Sequence, residues 1–331
     1  MTLNIGWIGC GRHATQMLLP QLGRNGARLA AVCDRDPQAA NAVAQTYGVT
    51  AVYDDYRPLL NHPALDAIGM AVGPELHQAA AIAALARGLP VFMEKPPAAD
   101  RAGTEAIAVA AERAKLPVIL GFMKRYATGN RIAHNLLHGG DFGPVLGLVG
   151  SYMTAPTYFS GNVDYSGFFL HHCVHYMDLM PWLAGSDIVE MAARKTEPAP
   201  GRLLFHVNFA CASGAIGTMV MGTVQSRGTP MEFVQVMGDH RRIEVDNIIH
   251  VAYYRDPPFK ADDPDATLTP EADTLSWTPN FTAAANEDHK GYNALIKAAL
   301  AALRGEPSDA PTIADGVRAM GHLERMIACL G

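Results

Sequence analysis

The sequence predicts an α/β chain built in two parts. Short apolar runs alternate with Ala-rich stretches of helical length through the first third. Beyond about residue 123, strand-like runs follow one another with few helices between them. The 331 residues also suit about two domains, at a prior of ~150 residues each.

The first texture is carried by apolar runs at Asn4–Gly9, Leu29–Cys33, Ala67–Val72, Pro90–Met93 and Pro117–Phe122. Helices are expected over Pro37–Tyr47, Glu75–Arg87 and Arg101–Lys115. Continuous apolar strands joined by helices imply a parallel sheet covered on both faces. The second texture opens with a helix, Asn130–Leu137, ended by Gly139-Gly140. Strands follow at Val145–Met153, Ile188–Lys195, Leu203–Cys211, Ala215–Gln225, Glu232–Met237, Ile243–Asp246 and Ile248–Tyr254, with a helix near Gly167–Leu183 early among them. Pro200-Gly201, Ser213-Gly214 and Gly238-Asp239 mark turns. Runs of strands without intervening helices imply an antiparallel or mixed sheet, hence an α+β second domain. The Pro- and Asp-rich stretch Asp256–Asp273 reads as a surface loop, and helices are expected at His289–Arg304 and Ile313–Cys329.

Composition narrows the function. Net charge is -6, so nucleic acid gains no general electrostatic help. No run of ~18 apolar residues appears, which argues against a membrane span. Leu3 to Cys10 is short and lacks a basic flank, so it reads as a first buried strand and not as a signal peptide. Five widely spaced cysteines without a C-x-x-C suit a reducing cytoplasm.

The first strand runs into Gly9-Cys10-Gly11-Arg12-His13-Ala14, a G-x-G-x-x-A turn. Gly9 permits a tight turn, Gly11 lets backbone N–H groups approach a pyrophosphate, and Ala14 lets the helix lie close on the strand. The helix start supplies N–H groups and a positive dipole end. The second strand ends in Asp34, twenty residues past Ala14 (34 − 14), where an acid meets ribose hydroxyls. These features together predict dinucleotide binding. Asp34 favours NAD, while Arg35 keeps NADP possible.

Three further segments identify a family. They are Val72-Gly73-Pro74-Glu75-Leu76-His77, Glu94-Lys95-Pro96-Pro97, and Gly167-Phe168-Phe169-Leu170-His171-His172-Cys173-Val174-His175-Tyr176-Met177-Asp178. With the glycine turn they resemble the glucose–fructose oxidoreductase / inositol dehydrogenase / rhizopine-catabolism (Gfo/Idh/MocA) family. Order and spacing match across nearly the whole chain, including Trp277-Thr278-Pro279-Asn280 and Gly291-Tyr292. The resemblance implies a Rossmann domain over 1–123 and a C-terminal domain over 124–331 that binds substrate and assembles the oligomer. That second domain is expected to be α+β, on a large open, mostly antiparallel sheet. Members are usually NAD(P)-dependent dehydrogenases or reductases of sugars, inositols and related polyols, and their sheets commonly pack face to face in dimers or tetramers.

Residue by residue, the resemblance gives the catalytic roles to Lys95 and His175. His175 has the reference pKa, ~6.5, for proton transfer near neutrality. Lys95, just past a strand's C-terminal end, can stabilise developing charge on a substrate oxygen. The cofactor set is Gly9, Gly11, Arg12, His13, Asp34, Arg35, Pro74, His77, Glu94 and Lys95. The substrate set is His171, Asp178, Arg125 and Tyr152, with Lys124 a further candidate. His171 stands where the family usually has Asp, and Cys173 where it has Gly. A histidine supplies no fixed negative charge, which leaves room for an acidic sugar, a keto group or a changed reaction.

In a regular helix His171, His175 and Asp178 share one face, and such a set could alternatively hold a divalent metal. The resemblance explains His175 without one, and no metal is expected. His172 faces elsewhere and is read as structural or exposed. The leading function is hydride transfer between a secondary alcohol of a sugar, cyclitol or sugar-derived acid and a nicotinamide. The alternatives are a glycoside hydrolase or lyase using transient oxidation by tightly bound NAD, and a non-catalytic dinucleotide-binding sensor.

Overall fold

The structure is a computed structural model that describes residues 2–156, 164–226, 230–255, 264, 274–279 and 288–331. It divides into two compact units, Met1–Met123 with Gly291–Glu324, and Lys124–Lys290 with Arg325–Gly331.

The first unit is built on six parallel strands: β1 Leu3–Ile8, β2 Ala27–Cys33, β3 Ala51–Tyr53, β4 Ala67–Met70, β5 Val91–Met93 and β6 Val118–Leu120. Their order is β3-β2-β1-β4-β5-β6, so the winding direction reverses between β1 and β4. That reversal opens a crevice at the strands' C-terminal ends, where doubly wound sheets bind ligands. Every residue of β4, β5 and β6 is buried, as a sheet covered on both faces requires.

Helices connect the strands. A π-helical turn, Ala14–Leu18, leads into α1, Leu19–Arg24. Pro20 accounts for the π turn, since it lacks an N–H and its ring collides with the carbonyl four residues earlier in an α-helix. Helix α2, Pro37–Tyr47, is capped by the Asp36 side chain on the Gln38 N–H and ends at Gly48 in the left-handed region. After a short α3, Tyr56–Leu59, come α4, Pro74–Ala86, and α5, Arg101–Ala114. The alternating texture of the sequence is therefore a Rossmann sheet. The edge strand β3 was not among the expected strands.

The second unit opens with α6, Thr128–His138. Its strands are β7 Gly147–Met153, β8 Ile188–Thr196, β9 Leu204–Cys211, β10 Ile216–Gly222, β11 Met231–Gly238, β12 Arg241–Asp246, β13 His250–Tyr254 and β14 Thr274–Trp277. They form one sheet in the order β14-β13-β12-β11-β7-β10-β9-β8. All neighbours are antiparallel except β7 and β10.

One face of this sheet is covered by a helical run that starts as α7, Ser166–Phe168, passes through a π segment, Phe169–Cys173, and continues as α8, Val174–Ala184. Gly150 on β7 leaves room for the ring of Tyr176 and the sulfur of Met180. The expected loop Asp256–Asp273 lies outside the described residues apart from Pro264, and Asn280 lies outside them too.

The two closing helices are α9, Tyr292–Leu303, and α10, Ile313–Leu330. The sequence boundary at 123/124 put all of the later chain in the second domain. Gly291–Glu324 instead clusters with the first sheet. The reason is apolar: Ile296, Ala299 and Leu300 of α9 line one pocket with Ile5, Trp7, Ile68 and Phe92. Burying each Ile or Leu there contributes roughly 1.5–3 kcal/mol.

Candidate active site

The candidate nucleotide site of the first unit is set by the turn after β1. Gly9 has φ +95°, and a Cβ there would lie 2.3 Å from the Ala71 carbonyl oxygen, so only glycine fits. Gly11 is the opposite case. Among the described residues, no atom beyond its chain neighbours lies within 4 Å of its Cβ position, so its backbone is open to an approaching group. The turn is held by its neighbours: the Gly9 N–H donates to the Cys33 carbonyl (2.8 Å) and the Cys10 N–H to Asp34 Oδ2 (2.7 Å). Asp34 Oδ1 accepts from the Asp36 N–H at 2.9 Å.

Beside this turn is a cavity of about 660 Å³, lined by Gly9, Gly11, Asp34, Arg35, Val72 and Gly73 among others. The open glycine, the adjacent helix start and the carboxylate at the end of β2 fit a dinucleotide. Burial, reinforced by Asp34, pushes the Cys10 and Cys33 thiols up to about 12, so both stay protonated and unreactive.

The Glu94-Lys95-Pro96 segment leaves the end of β5. Glu94 is buried because Gly121 makes room for it: a Cβ on Gly121 would sit 2.6 Å from Glu94 Oε1. Glu94 Oε2 accepts the Lys95 N–H at 3.2 Å, and His13 Nε2 lies 3.4 Å from Oε1. His13 also meets the edge of Tyr292, with ring centroids 5.5 Å apart. Lys95 itself is half-buried.

His77 departs from its expected role as a cofactor contact. It is fully buried, its Nε2 accepts the Val72 N–H (3.1 Å), and its Nδ1 lies 2.9 Å from the Pro96 carbonyl. Those partners require the neutral Nδ1–H tautomer, and burial lowers its pKa in the same direction. With both nitrogens spent on backbone, His77 ties the loop after β4 to the loop carrying Lys95. Pro74 is the first residue of α4 and is half-buried. Arg12 is exposed and donates to Gln16 Oε1 at 3.2 Å. Arg35 is exposed on the cavity wall.

The second unit carries the histidine segment. A π turn takes one more residue than an α turn, which carries His171 off the expected common face. His171 is exposed, while His172, His175 and Asp178 are buried. Asp178 is held bidentately by Arg125, through Nε to Oδ2 at 2.8 Å and through Nη2 to Oδ1. The pair has 9% and 3% side-chain exposure, so it is an internal brace and not a surface pair. This engagement also removes the carboxylate from the metal alternative. Among the described residues, no three His, Cys, Asp or Glu side chains form a metal-holding group.

Tyr152 is buried and its hydroxyl lies 2.7 Å from His172 Nδ1. His172 is therefore a buried partner of a candidate substrate residue, not an exposed side chain. Lys124 pairs with Glu232, and its ammonium lies 5.2 Å from the centre of the Tyr152 ring. Glu232 was missed because only the β7–β11 register, which sets it directly opposite Tyr152, brings it there. The Tyr176 hydroxyl donates to the Ser151 carbonyl at 2.8 Å, and full burial pushes its phenol well above the ordinary range.

Comparison with known proteins matches a family model to each part of the chain. A family model described as an oxidoreductase family with an NAD-binding Rossmann fold matches residues 3–122, and its companion for the C-terminal alpha/beta domain matches 136–328. Inositol 2-dehydrogenase of Ralstonia nicotianae is 33% identical over 216 residues, 61% of this chain and 61% of that protein. The match thus spans less than two thirds of that relative's length. A dehydrogenase from Chromobacterium violaceum superposes with a TM-score of 0.87 at 21% identity, covering 100% of this chain and 96% of the other. Levoglucosan dehydrogenase in complex with NADH and levoglucosan superposes with a TM-score of 0.84 at 17% identity, covering 99% and 97%. At these identities the structures establish the fold. With both family models matched in order across the chain, it belongs to the Gfo/Idh/MocA oxidoreductase family, whose N-terminal domain is an NAD-binding Rossmann fold.

Proposed function

We propose that the chain is an NAD(P)-dependent oxidoreductase that moves a hydride between a nicotinamide and a secondary alcohol of a sugar, cyclitol or sugar-derived acid. The observation that carries this reading is the open glycine-turn cavity at the sheet's reversal point, in a chain matched by both family models. The inositol 2-dehydrogenase relatives support a polyol or cyclitol substrate.

Bound at this cavity, the dinucleotide supplies the hydride acceptor or donor. The residues of the chain supply the rest. Gly9, Gly11 and the helix start receive the pyrophosphate, and Asp34 receives ribose hydroxyls. Lys95, on a loop fixed by Glu94 and His77, polarises the substrate oxygen. His175 takes or returns the hydroxyl proton. Arg125 and Asp178 brace the helix one turn beyond His175. His171 and Tyr152 are the proposed substrate contacts that set which polyol or acid is accepted.

The outer face of the second sheet exposes Ile216 and Met231, and a groove of about 770 Å³ is lined by Leu146, Val149 and Ile216 among others. That apolar face supports a homodimer or homotetramer assembled through the sheet. No helix among the described residues is long and apolar enough to cross a membrane, and all five cysteines are thiols, which supports a cytoplasmic setting.

The test is reduction of NAD and NADP with a panel of inositols, sugars and sugar acids, followed by the variants Lys95→Ala and His175→Ala. Each variant is expected to lose roughly 100-fold or more in turnover while still binding NADH. Full activity in either variant rejects its role. Product formation without net cofactor change selects the transient-oxidation reading, and tight NADH binding without any turnover selects the sensor.

A further inference from the structure

The wall of the nucleotide cavity holds a second acidic segment besides the carboxylate at the end of β2. Asp54 and Asp55 follow β3 and line the same cavity as Asp34. Strand register joins the two segments. Cys33 pairs with Tyr53, and the Asp34 N–H donates to the Tyr53 carbonyl at 3.2 Å. Burial first, and then Asp34, Asp55 and Asp54, hold the Cys33 thiol above its ordinary value.

Two cations on this wall could receive a phosphate, Arg35 and Arg57. Arg57 is already engaged: Asp55 accepts its backbone N–H at 2.7 Å and its guanidinium at 2.8 Å. Arg35 stands next to Asp34 in the chain. Glu75 adds another carboxylate, so four carboxylates on this wall face two guanidiniums. A 2′-phosphate brings a further charge of about −1.5 to −2, which this wall repels, whereas a 2′-hydroxyl brings none.

We propose that discrimination between the ribose 2′-hydroxyl and a 2′-phosphate is shared between Asp34 and the Asp54–Asp55 turn, so that this cavity takes NAD and rejects NADP. This rests on the dinucleotide-binding reading above and deepens it, by assigning selectivity to a turn outside the glycine motif. Asp54 is the residue to test, because Asp55 also caps α3 and its loss disturbs the turn itself.

The full chain is titrated with NADH and with NADPH by nicotinamide fluorescence, as wild type, Asp34→Asn, Asp54→Asn and the double variant. The wild type is expected to bind NADH about 100-fold more tightly than NADPH, and each single variant to narrow that ratio roughly tenfold, the effect of one nearby carboxylate at an intermediate dielectric. The double variant then binds the two dinucleotides within a few fold. The ratio is read, not either affinity alone, because Asp34→Asn also releases one holder of the glycine turn and weakens both ligands alike. The proposal is overturned if Asp54→Asn leaves the ratio unchanged, if Asp34→Asn alone abolishes the preference, or if the wild type shows none. If the folded wild type binds neither dinucleotide, the underlying cofactor reading falls as well.

Discussion

Removing the guanidinium of Arg125 leaves the Asp178 carboxylate 3% exposed and without its bidentate partner. Loss of one member of a buried pair costs about 3–5 kcal/mol, because the survivor cannot regain water. Arg125→Ala and Asp178→Ala are therefore each expected to destabilise the second unit by that amount. Arg125→Lys keeps the charge but not the fork, and should cost about 1–2 kcal/mol. The pair is also non-additive: replacing both members by apolar residues of similar volume, as in Arg125→Met with Asp178→Leu, should recover much of the loss. Trp182 reports directly, since the Arg125 guanidinium lies 5.9 Å from its ring centre. The assay is urea unfolding followed by tryptophan fluorescence for the wild type, both singles, the lysine variant and the double. Single-variant losses below ~0.5 kcal/mol, or strictly additive losses, would mean a solvated surface pair and would refute the brace.

Three further outcomes follow from the site. His77 stays neutral in the folded chain because burial lowers its pKa, while the unfolded chain protonates it below the ordinary 6.5. The unfolded state then binds more protons, so stability falls as pH drops below that value, by up to about 1.4 kcal/mol per pH unit, and His77→Gln should flatten this slope in denaturation curves taken across it. Gly121→Ala drives a methyl against the Glu94 carboxylate at 2.6 Å. It should cost about 1–3 kcal/mol in the melting curve by overpacking and disturb the Lys95 loop; unchanged stability would show that Glu94 moves aside without strain. Cys329 is the one exposed thiol of the five, and Cys10 and Cys33 are pushed up to about 12. At pH 8 a disulfide reagent should label Cys329 rapidly and the other four only in denaturant, and fast labelling of Cys10 would contradict its burial.

The first sheet was legible because parallel strands buried on both faces read as unbroken apolar runs, and because the G-x-G-x-x-A turn is local chemistry. Helix α2 was legible to the residue, since Asp36 caps it and Gly48 ends it. What the sequence concealed is non-local. Strand β3 has three residues, none of them fully buried, so it carries little apolar signal of its own. The return of α9 to the first sheet depends on which of two apolar surfaces its Ile296 face meets, and local pattern does not encode that choice. Glu232 joins Lys124 and Tyr152 only through strand register. The π segment took His171 off the face it was expected to share with His175, because helical spacing assumes 3.6 residues per turn and that segment takes more.

The same residue types therefore separate by how many of their polar atoms the fold has already used. His77 has two ring nitrogens and backbone takes both, so it can only position its neighbours. Asp178 is buried with both oxygens on Arg125, and reorienting either breaks a bidentate pair inside the protein. Asp34 also has an N–H on each oxygen, yet it is half-exposed and a carboxylate has about four acceptor sites. It can hold the glycine turn and still accept ribose hydroxyls at the cavity wall. Residual acceptor capacity at an accessible surface, more than position in a motif, is what distinguishes a ligand-binding carboxylate from a bracing one.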